Sequence, residues 1–220
     1  MAYILNIDTS IDKASICLSN NDTIIDISSN EKQNDHASWI QPAIKQIINN
    51  NGLSINNLNA VAVSIGPGSY TGLRIGLSTA KGLCYALNIP IIAVGTLEMM
   101  AEAAKNIQAD LICPMIDARR MEVFTAVYSK SIKKILEPVA MVLDENSYAD
   151  LLRDNSILFF GNGSKKFNQL INNSNAVFDD FEINASLLVK VAFKRYKASD
   201  FNSLAYVEPT YIKQFYHPNK

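Results

Sequence analysis

The sequence predicts an α/β protein built from a βββαβα unit that occurs twice, the second copy degraded. Two paired observations predict it. An apolar strand ending in aspartate occurs at Tyr3–Asp8 and again at Leu111–Asp117, and Ile7-Asp8-Thr9 is echoed by Ile116-Asp117-Ala118. Further on, Val61 to Ile65 enters Gly66-Pro67-Gly68-Ser69, and Ile157-Leu158-Phe159-Phe160 enters Gly161-Asn162-Gly163-Ser164. An Asp-ended strand, a hairpin and a strand ending in G-x-G-S thus recur in the same order, the signature of an internal duplication. A boundary near residues 104–110 gives an N-terminal domain of 1–106 and a smaller C-terminal domain of 107–220.

The elements follow from local pattern. Tyr3–Asp8 is apolar, Ile11-Asp12-Lys13 is a polar turn and Ala14–Ser19 alternates, so the two strands form a hairpin, with Thr23–Ser28 as a third strand. Residues 29–37 are polar and read as a loop. Ser38–Asn50 carries Trp39, Ile40, Ala43, Ile44, Ile47 and Ile48 at helical spacing and stops at Asn50-Asn51-Gly52. Leu58–Ile65 is a strand, 70–87 a helix, Pro90–Val94 a strand and Thr96–Ala104 a helix. In the second half, Met121–Tyr128 pairs with Leu111–Asp117, Ile157–Phe160 is a further strand, and 164–172 and 185–197 are shorter, more polar helices.

Composition narrows the function. A chain of 220 residues, 48% hydrophobic and 19% charged, is long enough for a substantial core. A net charge of −1 argues against a protein that grips nucleic acid by itself. Cys17, Cys84 and Cys113 are scattered in apolar surroundings, as expected of reduced core thiols in a cytoplasmic protein. The N-terminus has no basic region before an apolar run, and no apolar stretch reaches membrane-spanning length, so neither a signal peptide nor a membrane span is expected.

The chemistry-bearing residues leave several readings open. Gly66, Gly68 and Gly72 give G-x-G-x-x-x-G, which is neither a Walker loop nor the dinucleotide fingerprint. A glycine turn at a helix start suits a phosphate, a carboxylate or close backbone packing. Asp8, Ser69, Arg74 and, in the second hairpin turn, Arg119 are the candidate anion or nucleotide contacts. Asp8 and Asp117 suit either a magnesium site or turn caps that accept backbone N–H groups. The scarcity of partner residues favours caps. The two histidines, His36 and His217, read as exposed or locally bonded, too few for a zinc or iron site. G-x-S-x-G is absent, and no catalytic set emerges. Gly72, Gly76, Ala80 and Cys84 form a small-residue row flanked by Leu73, Leu77 and Leu83. This row suits either tight packing on the chain's own sheet or close approach of another subunit's helix, with Tyr70 and Arg74 as anchors.

Ile7-Asp8-Thr9-Ser10, the Gly66–Gly76 stretch, Thr96-Leu97-Glu98, the block Ile116 to Phe124 and Glu208-Pro209-Thr210-Tyr211 together resemble the TsaB (YeaZ) family of bacterial tRNA threonylcarbamoyladenosine biosynthesis proteins. The match runs from residue 3 to about 213. The resemblance implies an actin/hsp70/sugar-kinase-like fold and an accessory scaffold subunit without catalysis of its own. It implies a heterodimer with the catalytic paralogue TsaD, the ATPase TsaE joining, and a homodimer when the partner is missing. In that system a threonylcarbamoyl group passes from its adenylate to N6 of an adenosine beside the anticodon, and tRNA is met only through the complex. TsaD carries a His-x-x-x-His metal pair where this sequence has Thr96 and Met100. No cofactor is therefore expected on the isolated chain; ATP or ADP and the divalent metal belong to the partner subunits. The implied contact surface is the helix pair Ser38–Asn50 and Tyr70–Leu87, through Trp39, Ile40, Ala43, Ile44, Ile47, Tyr70, Gly72, Leu73, Gly76, Ala80 and Leu83. The rival functions are an ATP-dependent phosphotransferase of the same fold and an inactive metallopeptidase-like (glycoprotease-type) protein.

Overall fold

The computed structural model describes residues 1–30, 32 and 35–213. Its first half runs β1 (Tyr3–Asp8), β2 (Ala14–Asn20), β3 (Thr23–Asn30), α1 (His36–Asn50), β4 (Leu58–Ser64), α2 (Tyr70–Leu87), β5 (Ile91–Val94) and α3 (Thr96–Ala104). The second half runs β6 (Leu111–Asp117), β7 (Glu122–Ser129), β8 (Lys134–Val142), α4 (Ala149–Asp154), β9 (Ile157–Phe160), α5 (Ser164–Asn168), β10 (Ala176–Phe178) and α6 (Leu188–Lys197).

The duplication is visible in the sheets. The first has the order β3-β2-β1-β4-β5 and the second, read in the matching direction, β8-β7-β6-β9-β10. Pairings agree as well: β1 is antiparallel to β2 and parallel to β4, while β6 is antiparallel to β7 and parallel to β9. The degraded character of the second copy lies in its helices, since α4 and α5 have 6 and 5 residues where α1 and α2 have 15 and 18. The second core uses large rings instead. Phe159 and Phe167 meet edge-on at 4.8 Å and both touch Tyr148, whose hydroxyl donates to Thr125 Oγ1 at 2.9 Å.

Sequence pattern missed β8, α4 and β10. β8 carries a proline at position 138 and two register shifts against β7, which blur its alternation. The other two are very short. The compact units differ from the predicted halves toward the C-terminal end of the chain. One compact unit comprises Met1–Ala103 together with Glu182–Pro209, and the other comprises Ala104–Phe181 with residues 210–213. α6 therefore belongs with the first sheet rather than the second half. Val189 and Ala185 pack against Cys17 of β2, and Arg195 donates to the carbonyl of Ala93 at 2.7 Å and pairs with Glu98 at 2.7 Å. Asn202 adds an acceptor for the Ala93 N–H at 2.8 Å. The physical cause is that the central strands β1 and β4 are buried along nearly their whole length, so each sheet face needs cover. α1 and α2 cover one face; the apolar stripe Leu188, Val189, Val191 and Ala192 covers the other. Periodicity shows that a helix has an apolar stripe but not which sheet receives it.

α1 and α2 hold to the first sheet through aliphatic burial. Ile40, Ile44, Ile47 and Ile48 are all buried, at roughly 1.5–3 kcal/mol for each such side chain. α2 starts at Ser69, whose Oγ accepts from the Gly72 N–H at 3.2 Å, and ends at Asn88, left-handed at φ +52°, whose N–H returns to the Cys84 carbonyl. Among the described residues no helix is long and apolar enough to cross a membrane.

Candidate functional site

The glycine turn after β4 does not form an open anion cradle; it is closed onto the end of β1. Ser69 N–H donates to the Ser10 carbonyl at 2.7 Å. A Cβ at Gly68 would lie 2.2 Å from the Ser10 carbonyl oxygen, and one at Gly72 would lie 2.0 Å from that of Thr9. Thr9 Oγ1 in turn donates to the Gly72 carbonyl at 2.7 Å. Of the three readings of the motif, close backbone packing is the one the structure contains. The second unit repeats the device: Gly163 N–H donates to the Met115 carbonyl at 3.1 Å, and a Cβ at Gly163 would press on Ile116 and Asp117.

Asp8 is fully buried at the head of this turn. Its Oδ1 accepts from Ser10 N–H at 3.1 Å, Ser10 Oγ at 2.6 Å and Ser64 Oγ at 2.5 Å, tying β1, its hairpin turn and the end of β4 together. Asp117 accepts from Arg119 N–H at 2.6 Å and from Lys166 Nζ at 2.6 Å. Both aspartates therefore cap their turns, as the scarcity of partners suggested. Asp8 Oδ2 is buried and lacks a hydrogen-bond partner among the described residues.

Two of the other expected anion contacts, Ser69 and Arg74, are engaged locally. Ser69 caps α2. The Arg74 guanidinium lies over the Tyr70 ring at 3.9 Å and also bonds its hydroxyl, one turn away on the same helix. Arg119 is exposed in the turn of the second unit, at φ +70°.

Among the described residues no three His, Cys, Asp or Glu side chains stand close enough to share a metal ion. Thr96 and Met100, one turn apart on α3, are both fully buried. His36 corrects an expectation: it opens α1 and is buried, with Nδ1 unpartnered among the described residues, rather than lying exposed in a loop. His217 lies outside the described residues. The thiols are buried and free, and desolvation pushes Cys17 and Cys113 up to about 12 and Cys84 up to about 11. None is poised as a nucleophile.

The small-residue row also resolves inward. Gly72, Leu73, Gly76 and Ala80 are buried against the chain's own sheet, and a Cβ at Gly76 would sit 2.2 Å from Thr9 Oγ1. Ile40, Ala43, Ile44 and Ile47 are likewise buried in the first core. Trp39 and Leu83 are half-buried at its margin, and Tyr70 is half-buried at the start of α2. Most of the expected contact set is thus internal packing, because a stripe of small residues is what lets α2 sit down on β1. A groove of about 540 Å³ runs along α1 and the segment after it, lined by Gln41, Ile44, Lys45, Ile48, Leu53 and Ile55 and reached from α2 by Leu83. Tyr85, 82% exposed, lies two residues beyond Leu83 on α2. Pattern reading overlooked Tyr85, whose only signal was a large aromatic on the polar side of an amphipathic helix.

Two matching mixed sheets with helices place the chain among proteins of the actin/hsp70/sugar-kinase-like fold. An ADPNP-bound activator of 2-hydroxyisocaproyl-CoA dehydratase from Clostridium difficile shares it at a TM-score of 0.55, with 8% identity, over 90% of this chain and 97% of that one. A Pseudomonas aeruginosa protein described as similar to the peptidase YeaZ superposes at 0.82, with 21% identity, over 97% of this chain and 100% of that one. The family model for TsaD, tRNA N6-adenosine threonylcarbamoyltransferase, matches residues 24–207. The tRNA threonylcarbamoyladenosine biosynthesis protein TsaB of Bacillus subtilis is 37% identical over 174 residues, covering 76% of this chain and 74% of that one. TsaB of Haemophilus influenzae is 30% identical over 194 residues, covering 82% and 81%. The chain belongs to the TsaB (YeaZ) family.

Proposed function

We propose that this chain is a non-catalytic subunit of the bacterial apparatus that makes N6-threonylcarbamoyladenosine in tRNA. It binds and stabilises the catalytic paralogue TsaD, allows TsaE to join, and pairs with itself when TsaD is absent. Membership of a family whose relatives carry that biosynthetic name supports the pathway. The observation that carries the scaffold reading is the groove along α1, where Ile44, Ile48, Leu53, Ile55 and, from α2, Leu83 leave apolar surface open on a helix pair otherwise anchored to its own sheet. The closed glycine turn and the buried Thr96 and Met100 support an absence of independent catalysis, because they supply neither free phosphate donors nor metal ligands. In this reading nucleotide and divalent metal are held by the partner subunits.

Analytical ultracentrifugation of the chain alone, then mixed with TsaD, tests the proposal. The expected result is a homodimer that converts to a heterodimer, and Leu83→Glu is expected to abolish both, because it places a charge in a desolvated groove. A wild-type monomer indifferent to TsaD would refute the reading.

A further inference from the structure

We propose that the outward ridge of α6 is a phosphate-contacting surface for the tRNA, so that this subunit itself holds the substrate's backbone once the complex has assembled. The proposal rests on the t6A reading above. Its observation is independent of the groove, because α6 packs against the opposite face of the first sheet.

The inward positions of α6, Leu188, Val189, Val191 and Ala192, are buried. Lys190, Lys194 and Lys197, at spacings of four and three, are exposed and line one side. From Leu188 to Ser199 the chain has four basic residues and no acidic one, whereas the whole protein balances 20 basic against 21 acidic side chains. Arg195 is occupied by Glu98 and the Ala93 carbonyl. No ion pair among the described residues involves the three lysines.

Helix stability alone does not account for this ridge. Lys194 and Lys197, in the last turn, complement the negative end of the helix dipole. Lys190 lies far from that end, at a position where the dipole offers a cation nothing, and like charges one turn apart repel. Asp22 and Glu102 border a small cavity of about 230 Å³ beside Lys190, which eases that residue but not the other two. An exposed cationic ridge with no acidic residue along it, on a chain of balanced charge, fits a polyanion. RNA is favoured by the aromatic company: Lys197 lies over the Phe193 ring at 5.7 Å, and half-exposed Tyr196 packs on Phe201, itself 39% exposed, leaving flat faces beside the cations. The ridge spans about 10 Å of helix axis. That matches about three phosphates at about 3.4 Å of axis each.

The test measures binding of an unmodified tRNA transcript to the complex of this chain with TsaD and TsaE, as a function of salt. Three phosphate contacts contribute a slope of about 2–3 in log K against log salt. The variant K190Q/K194Q/K197Q is therefore expected to bind roughly tenfold or more weakly at low salt, with a slope shallower by about 2–3. K190R/K194R/K197R is expected to retain wild-type affinity. K130Q/K133Q/K165Q, the same charge change on the second unit, is expected to stay within about twofold. Thermal melting and ultracentrifugation confirm that each variant folds and assembles; should the glutamine triple fail there, single K194E in place of it reads the same slope. Unchanged affinity and slope in the folded glutamine variant would overturn the proposal while leaving the t6A reading intact. A wild-type complex that binds no tRNA would overturn both.

Discussion

One added methyl group on α2 separates internal packing from a free helix face. In most exposed helix interiors Gly→Ala stabilises by about 1 kcal/mol, because alanine loses less backbone freedom on folding. At Gly82 a Cβ meets nothing within 4 Å, so Gly82→Ala is expected to give that gain in full. At Gly76 the new Cβ would lie 2.2 Å from Thr9 Oγ1 and 3.5 Å from Ile7 Cγ2, well inside contact distance. Thr9 cannot turn away without giving up its 2.7 Å bond to the Gly72 carbonyl. Overpacking costs about 1–3 kcal/mol. The lost buried hydrogen bond costs about another 1 kcal/mol. Set against the propensity gain, Gly76→Ala is expected to destabilise by about 1–3 kcal/mol. The two variants should then differ by about 2–4 kcal/mol in urea unfolding followed by circular dichroism. The double variant Thr9→Ala/Gly76→Ala removes the obstructing hydroxyl and is expected to recover at least about 1 kcal/mol, a positive coupling between residues 9 and 76. Equal gains at Gly76 and Gly82 would refute the seating of α2 on β1. By the same reasoning Gly76→Leu, which a free-interface reading treats as a clean block of partner binding, is expected to cost the fold itself.

Further outcomes can be stated briefly. Unfolded thiols ionise near 9.0, whereas Cys17, Cys84 and Cys113 hold their protons to about 12, 11 and 12. The unfolded state therefore releases protons first, and the stability from burying these thiols is fully present below pH 9 and falls as pH rises through the 9–12 window. The loss is about 1.4 kcal/mol per thiol by pH 10. Thermal melts at pH 8 and pH 10 should show it, with a smaller drop for C17A/C84A/C113A; equal drops would refute the assignment. Asp8→Ala strands the hydroxyls of Ser10 and Ser64 in the core and is expected to cost on the order of 3 kcal/mol in urea unfolding. Arg195→Met cuts the ties from α6 to Ala93 and Glu98 and should raise amide exchange along α6 more than along α1; uniform exchange would contradict the anchoring role.

The sequence by itself determined the two copies of the sheet, the class of fold, the positions of α1, α2 and the glycine turn, and the family. These rest on signals confined to short windows: the alternation of a strand, the apolar stripe of Ile40 to Ile48, the order of Asp-ended strands and G-x-G-S turns. Tertiary structure alone decided which way the stripes face and what they meet. The row Gly72, Gly76 and Ala80 reads identically whether its neighbour is another subunit or β1; the 2.2 Å approach to Thr9 chose β1. α6 looked like part of the second half because it follows it in sequence, yet its buried residues lie against Cys17. Asp8 and Asp117 end equivalent strands, yet one is buried among hydroxyls and the other is exposed and pairs with half-buried Lys166. In each case the deciding contact joins residues far apart in the chain, and local periodicity carries no information about the partner across such a distance.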